Sequence, residues 1–203
     1  QGTLVPVQVW LQDAAGNADF CIAYVDVQAN IVGCPQGNTA TVAGALATET
    51  LQSVDQVSVG LSGTPNVNQN NIFDGNYAFQ NVPQGANVTV TPTKDDNPLN
   101  GVTTYDLVLV SKHILGLEPL TTPYKMIAAD ANKSGSITTF DIVEFRKLIL
   151  GIYNELPNNT SWRFVEKAYT FPNPSNPFQT QFPENIAIQS LSGSRMDENF
   201  TGV

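Results

Sequence analysis

The stretch that most constrains this chain is Asp130 to Asp141, DANKSGSITTFD. Oxygen-bearing side chains stand at its first, third, fifth and last positions (Asp130, Asn132, Ser134, Asp141), and Ser136 at the seventh can offer its backbone carbonyl. Gly135, at the sixth, permits the sharp turn such a loop needs. The set suits a hard, oxygen-seeking divalent cation, calcium above all: two carboxylates balance its charge and neutral oxygens complete the shell. Thr138 and Asp141 also spell a capping pattern ahead of the apolar positions Ile142, Val143, Phe145, Leu148 and Ile149. One loop therefore hands directly into one helix.

The unit occurs twice. Shifted back by 35 residues, Asp95, Asn97, Thr103, Thr104, Asp106, Val108, Lys112, Ile114, Leu115 and Gly116 match Asp130, Asn132, Thr138, Thr139, Asp141, Val143, Lys147, Ile149, Leu150 and Gly151. A duplicated calcium loop plus one helix, with no helix entering the first loop, resembles the dockerin module of secreted bacterial proteins, over about Asp95 to Tyr153. The resemblance implies a pair of EF-hand-type loops and calcium in each. In both loops the last ligand is Asp where an EF-hand usually has Glu, which shortens its reach.

The first loop departs from the pattern. Its fifth position is Leu99, which has no side-chain oxygen, and its glycine, Gly101, comes one place late. Asp95, Asn97 and Asp106 remain as side-chain ligands, with the carbonyls of Leu99 or Gly101, water, Asp96 or Asn100 to complete the shell. Two ions are expected, with the second loop the better site. The competing reading of either loop is an acidic Asx turn that only caps a helix.

The apolar spacing predicts helices from about Thr104 to Leu115 and from Thr139 to Leu150, each stopped by a glycine. Leu107, Val110 and Ile114 are expected to face Ile142, Phe145 and Ile149 across an antiparallel pair. The intervening TTPYKMIAA has room for a further helical turn or two. Such a mini-core is small, so ion binding should become folding energy.

The rest reads as β. Residues 4–12 and 19–28, LVPVQVWLQ and DFCIAYVDVQ, form a hairpin within 1–35 that resembles the last two strands of immunoglobulin-like repeats in bacterial surface proteins. Two strands cannot bury a core. The hairpin is expected to close a domain whose other strands lie elsewhere or to dock on a neighbour. Over 36–94, TVAGALA, DQVSVGLSG and DGNYAFQNVPQGANVTVTPT suggest a small antiparallel sandwich, resembling carboxypeptidase-regulatory-like or prealbumin-like modules, which serve as spacers. It runs into the helical module, 95–156, with almost no linker, so the two should pack as one unit. Residues 157–203 return to strands and turns and are expected as an extension whose apolar end pairs with another sheet. The expected fold class is mainly β with a small α module.

Composition narrows function. A net charge of −9 over 203 residues, with no basic cluster, argues against nucleic acid or an anionic membrane as partner. No apolar run is long enough for a spanning helix. Cys21 and Cys34 are the only cysteines. A disulfide between them would need an oxidising compartment, and the alternative is two buried thiols. Together with the many Asn, Thr and Gln, this places the chain outside the cell or at its surface. Asn-x-Ser/Thr triplets begin at Asn87, Asn158, Asn159 and Asn199.

With His113 as the only histidine and no nucleophile or phosphate-loop motif, nucleophilic, zinc and nucleotide chemistry lack their parts; spacing leaves open a carboxylate pair for sugar hydrolysis, yet the clustered acids are the ones the calcium loops use. Trp10 and Trp162, each in a strand-like run, read as sheet packing rather than sugar platforms. The leading expectation is a non-catalytic, extracellular calcium-binding structural protein: a segment of an adhesin, or a fibre subunit joined to its neighbours by strand exchange through terminal strands. The alternative, implied by the resemblance, is a dockerin that attaches a larger protein to a cohesin-like receptor. Thr104, Tyr105, Lys112, Thr139, Phe140 and Lys147 would then meet the partner.

Overall fold

The computed structural model describes residues 3–12, 18–27 and 38–203. It divides into two units, Gln1–Asn38 and Thr39–Val203.

The first unit is a hairpin of β1 (Thr3–Gln12) and β2 (Ala18–Val27), antiparallel in unbroken register from Thr3↔Val27 to Gln12↔Ala18. These strands form a sheet of two. Cys21 pairs across the ladder with Val9, whereas Cys34 lies outside the described residues, and the expected disulfide with it.

The second unit is a β-sandwich with three helices. Its strands are β3 (Thr39–Thr48), β4 (Val57–Gly63), β5 (Val67–Ile72), β6 (Asn76–Pro83), β7 (Val88–Thr93), β8 (Phe164–Glu166), β9 (Ile186–Ile188) and β10 (Phe200–Gly202). One sheet has the order β6-β3-β10-β8 and the other β5-β4-β7-β9. All pairings are antiparallel except that of β10 with β3. Alternation explains the core: Val57, Val59 and Leu61 on β4, Tyr77 and Phe79 on β6, and Val88 and Val90 on β7 point inward every second residue.

The segment after Pro157 is not an appendage. β8 and β10 belong to one sheet and β9 to the other, and Phe164, Ile186, Ile188, Leu191 and Phe200 are part of the sandwich core. The unmatched apolar end therefore finds its partners inside the same unit. β8 also joins the two halves of the fold. Phe164 faces the sandwich core, while its neighbour Val165 enters a second apolar cluster with Ile127, Phe171 and Phe182.

The helices are α1 (Thr104–Ile114), α2 (Pro123–Ala129) and α3 (Thr139–Ile149). α1 and α3 pack together, burying Val110, Phe145 and Leu148 rather than the full set expected, since Leu107, Ile114, Ile142 and Ile149 are only partly covered. Both helices end alike. The Gly116 amide bonds to His113 O at 3.0 Å and Leu117 to Lys112 O at 2.9 Å; Gly151 bonds to Leu148 O at 3.0 Å and Ile152 to Lys147 O at 2.9 Å. That is the Schellman pattern, and its left-handed residue is a glycine in each case, Gly116 at φ 67° and Gly151 at φ 68°. No helix among the described residues is long and apolar enough to cross a membrane.

Candidate metal centre

The Asp130–Asp141 loop closes on itself through its two end carboxylates. Asp130 Oδ1 accepts from Ser134 N at 2.9 Å and its Oδ2 from Gly135 N at 2.8 Å. Asp141 Oδ1 accepts from Asn132 N at 3.2 Å and its Oδ2 from Thr138 N at 2.8 Å, so one carboxylate both caps α3 and ties the loop's start to its end. Ser134 Oγ lies 3.4 Å from Asp130 Oδ1 and 3.2 Å from the Ser136 carbonyl. The turn is made by Lys133 and Gly135, both left-handed, at φ 56° and 75°.

The loop thus gathers the expected oxygens of Asp130, Ser134, Ser136 and Asp141, with Asn132 Oδ1 accepting from Ser134 N at 3.0 Å. Asp130 is 1% and Asp141 0% exposed, and neither forms an ion pair among the described residues. Buried charges are normally paired or bound to a metal, so the chemistry of this donor set fits a calcium ion. The set holds two carboxylates only: among the described residues no three His, Cys, Asp or Glu side chains gather at one point.

The Asp95–Asp106 loop is built differently. Asp106 Oδ2 accepts from Thr103 N at 2.8 Å and caps α1 as its counterpart caps α3. But Asp95 is exposed, and its Oδ1 accepts from Ser161 N at 2.8 Å. Leu99 is exposed as well, and the left-handed positions are Asn97 and Gly101, at φ 46° and 80°. The donor set here is shallower than in the second loop. The segment Asn159–Ser161 fastens both loops at their first residues, because Asn159 Nδ2 donates to Asp130 O at 3.0 Å and Ser161 N to Asp95 Oδ1 at 2.8 Å.

On the helices, Tyr105 and Phe140 are 64% and 71% exposed, and Thr104 and Thr139 beside them are exposed too. Lys112 Nζ donates to Glu118 at 2.7 Å, which raises the lysine pKa and lowers that of the glutamate. Lys147 Nζ donates to the Tyr153 hydroxyl and to Glu144, each at 3.1 Å; Tyr153 contributes most to its raised pKa. Among the repeat-related pairs, Val108 with Val143 and Leu115 with Leu150, matched in the sequence without a partner role, are exposed, and so is a further pair that was not matched, Leu117 with Ile152. The same 35-residue offset, carried one residue further, is the signal for the last pair.

His113 has a local role, its Nδ1 accepting the Leu120 amide at 3.1 Å. Three of the glycosylation triplets begin at asparagines already engaged: Asn87 Oδ1 accepts from Ser190 N, Asn199 Oδ1 from Ala45 N, and Asn159 holds Asp130 O. Compared with protein-family models, with curated proteins and with solved structures, the chain matches none.

Proposed function

We propose that this chain is a non-catalytic, extracellular calcium-binding structural protein, a segment of a surface adhesin or a subunit of a fibre assembled by strand exchange. The observation that carries the calcium reading is the burial of Asp130 and Asp141 in one loop with no basic side chain paired to either among the described residues. On this reading the sandwich is of the immunoglobulin-like or prealbumin-like kind and 95–156 is a dockerin-like EF-hand pair. The second loop fills before the first, where Leu99 lacks a side-chain oxygen. Cys21 and Cys34 pair in an oxidising compartment. The assembly half is supported by the hairpin, whose ten-residue strands form a sheet of two, an arrangement of marginal stability in water without further pairing.

Calorimetry in calcium and in excess chelator tests the ion. The expected result is a melting transition that falls on chelation; an unmoved curve overturns the calcium reading.

A second reading is favoured by the exposed repeat-related pairs on and just after α1 and α3. They suit a dockerin whose duplicated surface meets a cohesin-like receptor. Capture of one specific receptor, lost in Tyr105→Ala with Phe140→Ala, would support it over the fibre.

A further inference from the structure

A cleft of about 460 Å³ opens between the end of the sandwich and the first loop. Its walls carry amides and carboxylates, Gln52, Asp55, Gln56 and Asn100 among them, together with the aromatic rings of Phe73 and Trp162. A second polar cleft, of about 500 Å³, shares Gln56 and Phe73 with the first. Phe73 is 70% exposed and lines both. The volumes lie within the range of small-ligand sites.

The lining chooses among ligand classes. An anion finds little here: the one cation is Lys94, whose side chain is 9% exposed and bound to Asp96 at 2.7 Å. Of the three carboxylates lining the two clefts, Asp96 is taken up by that pair and Asp95 accepts from Ser161 N, which leaves Asp55. A wholly apolar ligand would bury Gln52, Asp55, Gln56 and Asn100, whose side chains make no hydrogen bonds among the described residues, at a cost of roughly 1–3 kcal/mol per unsatisfied group. What remains is a neutral molecule with hydroxyls for the amides and carboxylates and C–H faces for the rings. Trp162 serves as sheet packing too, since it stacks on Phe164 with centroids 6.4 Å apart. Gln56 holds the left-handed conformation at φ 57°, a local cost of the sort found at ligand clamps.

We propose that these joined clefts bind a neutral saccharide chain, with Phe73 and Trp162 as stacking faces and Asp55, Gln56 and Asn100 as hydroxyl partners. The site does not rest on the calcium reading of the second loop, but it shares Asn97 and Asn100 with the first.

Tryptophan fluorescence tests it on the full chain carrying Trp10→Phe, so that Trp162 alone reports. The probes are cellohexaose, xylohexaose and mannohexaose, with polygalacturonate as the anionic comparison. Saturable change with at least one neutral hexasaccharide is expected. Phe73→Ala and Asp55→Ala should each weaken it by about tenfold, with the melting temperature unchanged because both side chains are exposed. The proposal is overturned if no neutral probe binds in the millimolar range, if polygalacturonate alone binds, or if both variants bind like the parent.

Discussion

Asp141 accepts the Thr138 amide with one oxygen and the Asn132 amide with the other, so its removal strikes both the start of α3 and the closure of the loop. Losing the Asp141 half of the capping box, with Thr138 still in place as N-cap, costs at most about 0.5–2 kcal/mol. On the proposed calcium reading, losing the ion costs more, since a ligand at 100 times its dissociation constant stabilises by about 2.7 kcal/mol. In Asp141→Ala the melting temperature should therefore be low and indifferent to calcium. Asp106→Ala should lose its half of the α1 capping box yet keep most of the calcium response, which a calcium titration followed by calorimetry would check. Tyr77 makes a different kind of claim. Its buried hydroxyl donates to the Glu198 carbonyl, and burial first, then the Glu198 charge, push the phenol pKa up from its ordinary 10.0. The folded state keeps this proton where the unfolded chain releases it. The contribution to stability is thus complete below pH 10.0 and lost as pH rises above it. Urea unfolding on either side of that pH should show the decline, and Tyr77→Phe should flatten it while costing about 1–3 kcal/mol for the carbonyl left without its donor.

β10 is three residues long, yet it lies between β3 and β8 and places Phe200 in the core. Phe200→Ala should cost about 3–5 kcal/mol. Across the same sheet, a Cβ on Gly44 would sit 2.0 Å from the Glu198 carbonyl oxygen and 2.7 Å from the Tyr77 hydroxyl. Gly44→Ala should cost about 1–3 kcal/mol by overpacking, read for both variants by denaturant midpoints. These elements also mark where the sequence stops being legible. Strands β3, β4, β6 and β7 show in the alternation of their own residues, and the second loop shows in a spacing confined to twelve positions. β8, β9 and β10 are too short to display a period, and the pairing of β10 with β3 joins residues more than 150 apart, as Phe200↔Leu46. The polar β5, VNQNNI, carries no apolar alternation at all. Asp95 looked equivalent to Asp130 because its partner Ser161 lies 66 residues away and leaves no local trace.

At the scale of the whole molecule, the hairpin and the 39–203 unit answer to different forces, and that separates the two halves of the proposed function. The 39–203 unit has its own double core and its own acidic loop. The hairpin has a ladder of paired amides and carbonyls but belongs to a sheet of two, so further strand pairing is its route to stability. Changes on the hairpin should therefore abolish assembly without touching calcium, and changes in the loop should do the reverse. Ile22 is exposed, and a lysine there sets a charge beside any incoming strand. The parent is expected to form rods under electron microscopy; in Ile22→Lys they should be absent while the chelator-dependent shift in melting persists. Asp130→Asn should lose that shift and keep the rods. If Ile22→Lys forms rods as the parent does, strand exchange through the hairpin is not the joint, and the exposed pairs on α1 and α3 become the surface to vary next.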